Sequence, residues 1–139
     1  MRFLDANVVI YDSLKLERKL DNRALEIKES AHKIIGKIKS GEKVVTTVVH
    51  ISEVSNILQN LLSLEKAQEV VSDILECDFV KIEDVNKEKY IESVEIAKQS
   101  KIKINDGLAV VVMKNLGVEE IYSFDEHFDK IEGIKRVEK

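Results

Sequence analysis

Short apolar segments rich in valine and isoleucine alternate along this chain with longer segments in which apolar residues recur at helical spacing. The first pattern predicts buried strands at residues 3–5, 43–47, 79–82, 120–123 and 133–137. The second predicts amphipathic helices at residues 23–39, 48–62, 64–77 and 87–100, with helical turns after Asp5 and at 126–130. Strands that alternate with helices form layers around a mostly parallel sheet. We therefore predict an α/β fold with a central sheet of four to five strands flanked by helices.

The apolar segment at residues 108–113 fits either a strand or a helix, because its three consecutive valines have high strand propensity. We favour a buried helix. Asp106 can cap the start of that helix, while Lys114 and Gly117 suit its end.

A chain of 139 residues has room for one domain of ordinary size, and we predict a single domain over residues 1–139. There is no proline, and no low-complexity segment marks a linker. Cys77, the one cysteine, cannot form an internal disulfide and is typical of a reduced thiol. No apolar run approaches the roughly 18 residues of a membrane span. These features predict a cytoplasmic protein and argue against a secreted or membrane protein.

The charge balance restricts the class of function. Twenty-six Asp and Glu residues oppose 22 Lys and Arg residues, which gives a net charge of −4. Proteins that simply coat nucleic acids are usually basic, because neutralising phosphates supplies most of their affinity. The acidic balance argues against such a binder, but it is compatible with an enzyme that uses carboxylates on a polyanion.

Four acidic residues stand at positions that a parallel sheet can bring together. Asp5 directly follows the first strand, and Asp125 follows the fourth strand across Phe124. Glu53 lies on the helix at 48–62, and Asp106 precedes the helix at 108–113. Each has a structural alternative, since the three aspartates suit helix caps and the glutamate suits a solvated helix face.

Sites in parallel sheets gather at the carboxyl ends of the strands, where all four acids can share one crevice. Clustered carboxylates repel one another and raise each other's pKa values. A hard divalent cation removes that penalty, and an all-oxygen site selects Mg²⁺ or Mn²⁺ over zinc. The charged stretch at residues 12–22 is expected near the same crevice.

Four short motifs in this order resemble those of the PIN domain, the fold of VapC-type toxin ribonucleases and several RNA-processing nucleases. They are FLDANVVIY at residues 3–11, ISEV at 51–54, INDGLA at 104–109 and IYSFDEHFD at 121–129. The resemblance spans nearly the whole chain. It implies a PIN-like α/β/α sandwich and a metal-dependent endoribonuclease that acts on single-stranded RNA.

The resemblance also implies roles for individual residues. The four acidic positions of the family would fall on Asp5, Glu53, Asp106 and Asp125, with Asp5 and Asp106 as direct ligands of Mg²⁺ or Mn²⁺. Supporting positions would fall on Asn7, which orients the first aspartate, and on the hydroxyl of Ser123. Asp129 is a weaker candidate that also suits a surface charge, and His127 is expected to be an incidental exposed side chain.

Several partners follow from the same resemblance. They are an RNA substrate, an antitoxin protein clamped by the helices between residues 48 and 77, and a second copy of the chain in a homodimer. Two alternatives stay open, a PIN-like fold used as a non-catalytic binding or scaffold module and a housekeeping RNA-processing nuclease. A haloacid-dehalogenase phosphatase fits poorly, because Asn7 stands where that chemistry needs an acid.

Overall fold

The computed structural model describes residues 1–15 and 22–139. Residues 16–21, part of the stretch expected near the crevice, lie outside the described residues. In chain order the elements are β1 (Arg2–Leu4), α1 (Ala6–Ser13), α2 (Asn22–Lys39), β2 (Val44–Thr47), α3 (Val48–Leu61), α4 (Leu64–Glu76), β3 (Val80–Glu83), α5 (Lys87–Ser100), α6 (Ile104–Leu116), β4 (Glu120–Tyr122), a 3-10 helix (Glu126–Lys130) and β5 (Lys135–Val137). Apart from α1 and α6, the predicted boundaries lie within two residues of these. The turn predicted after Asp5 is a helix of eight residues.

The five strands of the described residues form one parallel sheet in the order β3-β2-β1-β4-β5. Strand β1 is central, and the chain reverses its direction of winding across the sheet between β1 and β4. In open α/β sheets, a crevice opens at the carboxyl ends of the strands at such a switch point. The topology therefore places the residues that follow β1 and β4 next to each other at one crevice.

Helices cover both faces of the sheet, and the three central strands show why. Neighbouring residues of each strand point to opposite faces, so one joins the apolar cluster of α1 to α4 and the next joins the cluster around α6. The pairs are Leu4 and Phe3, Val44 and Val45, and Tyr122 and Ile121. The predicted α/β/α sandwich is confirmed. None of the described helices is long and apolar enough to cross a membrane.

Helix α6 corrects one prediction. The segment predicted as a helix is helical, and the helix ends at Gly117 with φ of 68°, but it begins at Ile104. Lys103 is the cap residue, with no side-chain cap hydrogen bond, so the prediction that Asp106 caps this helix was wrong. Asp106 lies inside the first turn, where its side chain is turned towards the other acidic residues and is not available to cap the helix.

Candidate metal centre

Asp5 is fixed at the carboxyl end of β1 by two donors. Its Oδ1 accepts a hydrogen bond of 2.8 Å from the backbone N–H of Ala6, which makes it the cap of α1. Its Oδ2 accepts a hydrogen bond of 2.6 Å from the hydroxyl of Ser123. The residue is only 4% exposed, yet it lines an open cavity. Asp5 is therefore a helix cap and a site residue at once.

Ser123 and Asn7 join the start of α1 to the loop after β4. The buried Ser123 Oγ accepts hydrogen bonds from the backbone N–H of Asp125 at 3.0 Å and from Nδ2 of Asn7 at 3.4 Å. Asn7 Oδ1 in turn accepts from the backbone N–H of Phe124 at 3.4 Å. Asn7 thus acts on Asp5 through the serine hydroxyl, with no direct contact between the two side chains among these bonds.

Asp125 begins the 3-10 helix and holds His127 beside it. Its Oδ1 accepts a hydrogen bond of 2.9 Å from the backbone N–H of His127 and lies 2.8 Å from Nδ1 of that residue. Cap and site roles again coincide, because Asp125 also lines the cavity.

Asp106 enters the cavity from the first turn of α6. It is 8% exposed, and its Oδ2 has no hydrogen-bond partner among the described residues. Ligand atoms from Asp106, Asp125 and His127 all lie within 4.8 Å of one another. A buried carboxylate oxygen without a donor is costly, and a cation at this point would satisfy it.

Glu53 reaches the same cavity from α3 and is half-buried. Its Oε1 accepts a hydrogen bond of 2.9 Å from Nδ2 of Asn105, so the alternative of a freely solvated charge does not hold. Asn105 Oδ1 accepts in turn from the hydroxyl of Tyr90 at 3.0 Å. A chain of hydrogen bonds from α5 and α6 therefore positions the glutamate.

One cavity of about 810 Å³ collects these groups. It is lined by all four predicted acids and by the polar side chains Asn7, Lys103 and Asn105, with apolar surface from Ile10, Tyr11, Leu14, Ile57, Leu61 and Ile104. The exposed Asp129 is not among the lining residues, because its carboxylate pairs with Arg136 at 2.9 and 3.0 Å.

Burial and mutual repulsion disfavour the charged forms of two of these acids. Burial raises the pKa of Asp5 to about 6, against the hydrogen bond from Ser123, and the charge of Glu53 raises it further. Burial raises the pKa of Asp106 to about 7, and the charges of Asp5 and Asp125 act in the same direction. A divalent cation would relieve the repulsion and restore the ionised forms, so these side chains fit a metal centre.

These shifts predict how the stability of the metal-free protein depends on pH. The native state holds protons on Asp5 and Asp106 at pH values where the unfolded chain has lost them, so both groups stabilise the fold less as the pH rises. We expect the change in Tm from about pH 5.5 to about pH 7.5 to be more negative in the parent than in Asp106→Asn. The expected margin is at least about 3 °C, which roughly 1 kcal/mol produces in a domain of this size.

The comparison with the variant is necessary because the buried His50 acts in the opposite direction. Burial lowers the pKa of His50 to about 4, so its contribution to stability is lost as the pH falls. That contribution is common to both proteins and cancels in the difference. Equal pH profiles of Tm in EDTA, measured by circular dichroism, would mean that Asp106 is already ionised at neutral pH.

Beside the apolar lining, three polar side chains of the described site lie outside the predicted set. They are Asn105, Lys103 and His127, and the last was expected to be incidental. The ring of His127 is exposed as expected, but it contacts a site carboxylate. The signal available in the sequence was proximity, since each stands within three residues of a predicted acid. The charge type alone does not distinguish such residues from ordinary surface polar groups.

Comparisons with known proteins agree with this fold. A family model described as the PIN domain matches residues 2–134. No curated protein has a sequence that matches the chain significantly. Among solved structures, the chain is similar to the VapC20 toxin of Mycobacterium tuberculosis, described as cleaving the sarcin-ricin loop, at 16% identity with a TM-score of 0.73 over 91% of each chain.

Two further solved structures have the same fold. A VapBC2 structure from Rickettsia felis, bound to a DNA fragment from its promoter, has 13% identity and a TM-score of 0.66 over 98% of this chain and 96% of that one. A toxin-antitoxin complex from Klebsiella pneumoniae has 14% identity and a TM-score of 0.63 over 97% of this chain and 96% of that one. At such low identities the similarity shows the backbone fold and not the chemistry. The chemistry is inferred from the acidic residues of this chain itself.

Proposed function

The chain belongs to the PIN domain family, and we propose that it is a divalent-metal-dependent endoribonuclease that cleaves single-stranded RNA. The observation that carries the proposal is one cavity lined by Asp5, Glu53, Asp106 and Asp125, in which a buried oxygen of Asp106 lacks a partner among the described residues. We propose that residues 1–139 form a single domain built around this centre.

The proposed chemistry requires only side chains that the cavity contains. A bound Mg²⁺ or Mn²⁺ would supply a water molecule of lowered pKa and neutralise charge on the phosphate. Asp5 and Asp106 are the proposed direct ligands, and the donors from Ala6 and Ser123 hold the first of these in place. Glu53 and Asp125 would complete the ligand set or accept a proton. Hydrolysis by water would leave 5′-phosphate and 3′-hydroxyl ends.

The surroundings of the acids suit a single strand of RNA. Lys103 lies exposed at the cavity and offers a positive charge to a backbone phosphate. Tyr11 contributes an aromatic surface on which a base can stack. Without the four site acids, the chain has equal numbers of acidic and basic residues, so its net negative charge can be attributed to the centre itself. The similar toxin described as cleaving the sarcin-ricin loop supports an RNA substrate.

We propose further that the chain is the toxin of a toxin-antitoxin pair, with an antitoxin protein as its partner. Similarity to structures described as a toxin-antitoxin complex and as VapBC2 supports this assignment. A gene for a small DNA-binding protein directly upstream would favour a toxin over a housekeeping RNA-processing nuclease. The homodimer implied by the family resemblance stays a prediction. The convergence of all four acids argues against a purely non-catalytic scaffold.

The purified protein is expected to cleave single-stranded RNA with Mg²⁺ or Mn²⁺ and to lose this activity in excess EDTA. The reason is that the carboxylates repel phosphate until a cation neutralises them. Gel analysis of a labelled oligoribonucleotide, with mapping of the product ends, checks the result. A double-stranded RNA of the same sequence serves as the control substrate.

Two outcomes would contradict the proposal. The first is single-stranded RNA that remains intact with either metal, tested over several sequences. The second is equally tight RNA binding in EDTA and in Mn²⁺ at physiological salt. RNA affinity that does not depend on the metal would mean that the RNA binds elsewhere on the surface.

A further inference from the structure

His127 stands in the acidic centre as its one nitrogen donor among the clustered ligand atoms of the described residues. Its Nδ1 lies 2.8 Å from Oδ1 of Asp125, and ligand atoms of both residues lie within 4.8 Å of one from Asp106. Two neighbouring ligands of an octahedral ion, each about 2.1 Å from it and about 90° apart, are themselves separated by about 3 Å. The spacing of the imidazole and the carboxylate therefore suits two neighbouring ligands of one cation.

The backbone keeps the ring in this position. The N–H of His127 donates to Asp125 Oδ1 at 2.9 Å within the first turn of the 3-10 helix, so both side chains stay on the same side of that turn. The ring is 56% exposed, which leaves Nε2 able to carry its proton towards water while Nδ1 offers its lone pair.

The third member of the cluster points independently to a cation. Asp106 is 8% exposed, and its Oδ2 has no hydrogen-bond partner in the described part of the chain. As ionised groups, Asp106 and Asp125 are both acceptors and cannot satisfy each other. A cation between them and the imidazole would give the orphaned oxygen its partner.

We propose that His127 binds the metal of this centre through Nδ1 and shifts its selectivity from Mg²⁺ towards Mn²⁺ and later divalent transition metals. Imidazole is a poor ligand for Mg²⁺, which prefers oxygen, whereas affinity for nitrogen rises along the transition series. The inference rests on the proposed function only in that the ion is the same one. It adds a nitrogen ligand beside Asp106 and Asp125.

His32 provides a matched control within the same chain. Its Nδ1 lies 2.9 Å from a carboxylate oxygen of Asp12, and its side chain is 82% exposed. The distance between Nδ1 and the carboxylate is thus close to that in the pair of His127 and Asp125, although His32 and Asp12 also form a hydrogen bond. Neither member of the His32 pair belongs to the cluster of ligand atoms. His32→Gln removes an exposed histidine paired to an aspartate without touching the proposed centre.

The test is pulsed electron paramagnetic resonance of Mn²⁺ bound to the full chain, without RNA. The parent and His32→Gln should show coupling to a nitrogen-14 nucleus, and His127→Gln should lose it. Calorimetric titration should show Mn²⁺ affinity falling at least about tenfold in His127→Gln, the lower end of the loss when even an outer-shell partner of a metal ligand is removed, with Mg²⁺ affinity changed by less than about twofold. His127→Asp should bind Mg²⁺ at least as well as the parent, without the nitrogen signal.

The outcomes separate this inference from the nuclease proposal. Cleavage in Mn²⁺ without nitrogen coupling in the parent would overturn the role of His127 and leave the nuclease intact. Nitrogen coupling that depends on His127, in a protein that leaves RNA intact, would support the ligand and overturn the nuclease. Coupling that persists in His127→Gln, or Mn²⁺ that does not bind the parent, would also overturn the inference.

Discussion

Asp106→Asn is expected to lower the rate of RNA cleavage at least about a thousand-fold, because a lost metal ligand costs several kcal/mol of transition-state stabilisation. The substitution preserves the shape of the side chain but replaces one carboxylate oxygen, either the unpartnered Oδ2 or Oδ1, with an NH₂ group. An NH₂ group donates hydrogen bonds and cannot bind a cation. Initial rates on a labelled oligoribonucleotide at saturating Mn²⁺ measure the loss.

The same substitution should leave the metal-free fold at least as stable as the parent near neutral pH. Burial and the charges of Asp5 and Asp125 disfavour the ionised form of Asp106, so a neutral amide relieves repulsion. Activity and stability are therefore expected to change in opposite directions, which distinguishes a lost ligand from a damaged fold. Tm in EDTA, measured beside the cleavage rate, gives the second half of the result.

Asp73→Asn is the matched control for this experiment. Asp73 lies exposed on α4 and is not among the residues that line the acidic cavity. Its rate should stay within about twofold of the parent, as is usual for surface substitutions worth less than about 0.5 kcal/mol. An Asp106→Asn protein that cleaves at the parent's rate would exclude this carboxylate from the chemistry.

Local patterns predicted most of the fold because they record which face of each element is buried. Neighbouring residues such as Phe3 and Leu4 enter opposite apolar clusters, which is the signature of a strand covered on both sides. The predicted start of α6 was wrong, and the cause is physical. Asp106 is a favoured cap residue, but the extended backbone at Lys103 starts the helix one turn earlier and leaves the carboxylate to the cavity.

Part of the candidate site was also predictable from local patterns, and part was not. The acids were predictable because strand ends and helix starts meet at one edge of a parallel sheet. The contact between Asn105 and Glu53 joins residues 52 positions apart, and Tyr90 extends it from a third helix. Such contacts depend on how α3, α5 and α6 pack, and no short-range pattern records that packing. They become visible only in three dimensions.

The packing of α6 on α5 accounts for the second large effect. A Cβ atom added at Gly107 would lie 2.4 Å from the backbone oxygen of Ser93 and 3.2 Å from the backbone nitrogen of Ala97. Both neighbours belong to the backbone of α5, so no side-chain rotation relieves the overlap. The hydrogen at this position is what allows the two helices to approach so closely.

Gly107→Ala is therefore expected to lower the free energy of unfolding by about 3 kcal/mol, the upper part of the range for overpacked cores. Alanine gains only about 1 kcal/mol of helix propensity over glycine, so the overlap dominates. Denaturant unfolding measures the change. RNA cleavage should fall as well, since α6 must move away from α5 and carry the adjacent Asp106 with it.

Gly36→Ala tests whether the overlap, and not the substitution as such, is responsible. Gly36 lies within α2, and an added Cβ there would meet no atom within 4 Å. Propensity alone then applies, and the protein should gain roughly 0.5–1 kcal/mol. The opposite signs expected for the two substitutions follow from the room that each glycine leaves for a Cβ atom. A Gly107→Ala protein as stable as the parent would contradict the close approach of α5 and α6, because a Cβ atom only 2.4 Å from the backbone oxygen of Ser93 cannot be accommodated without a shift.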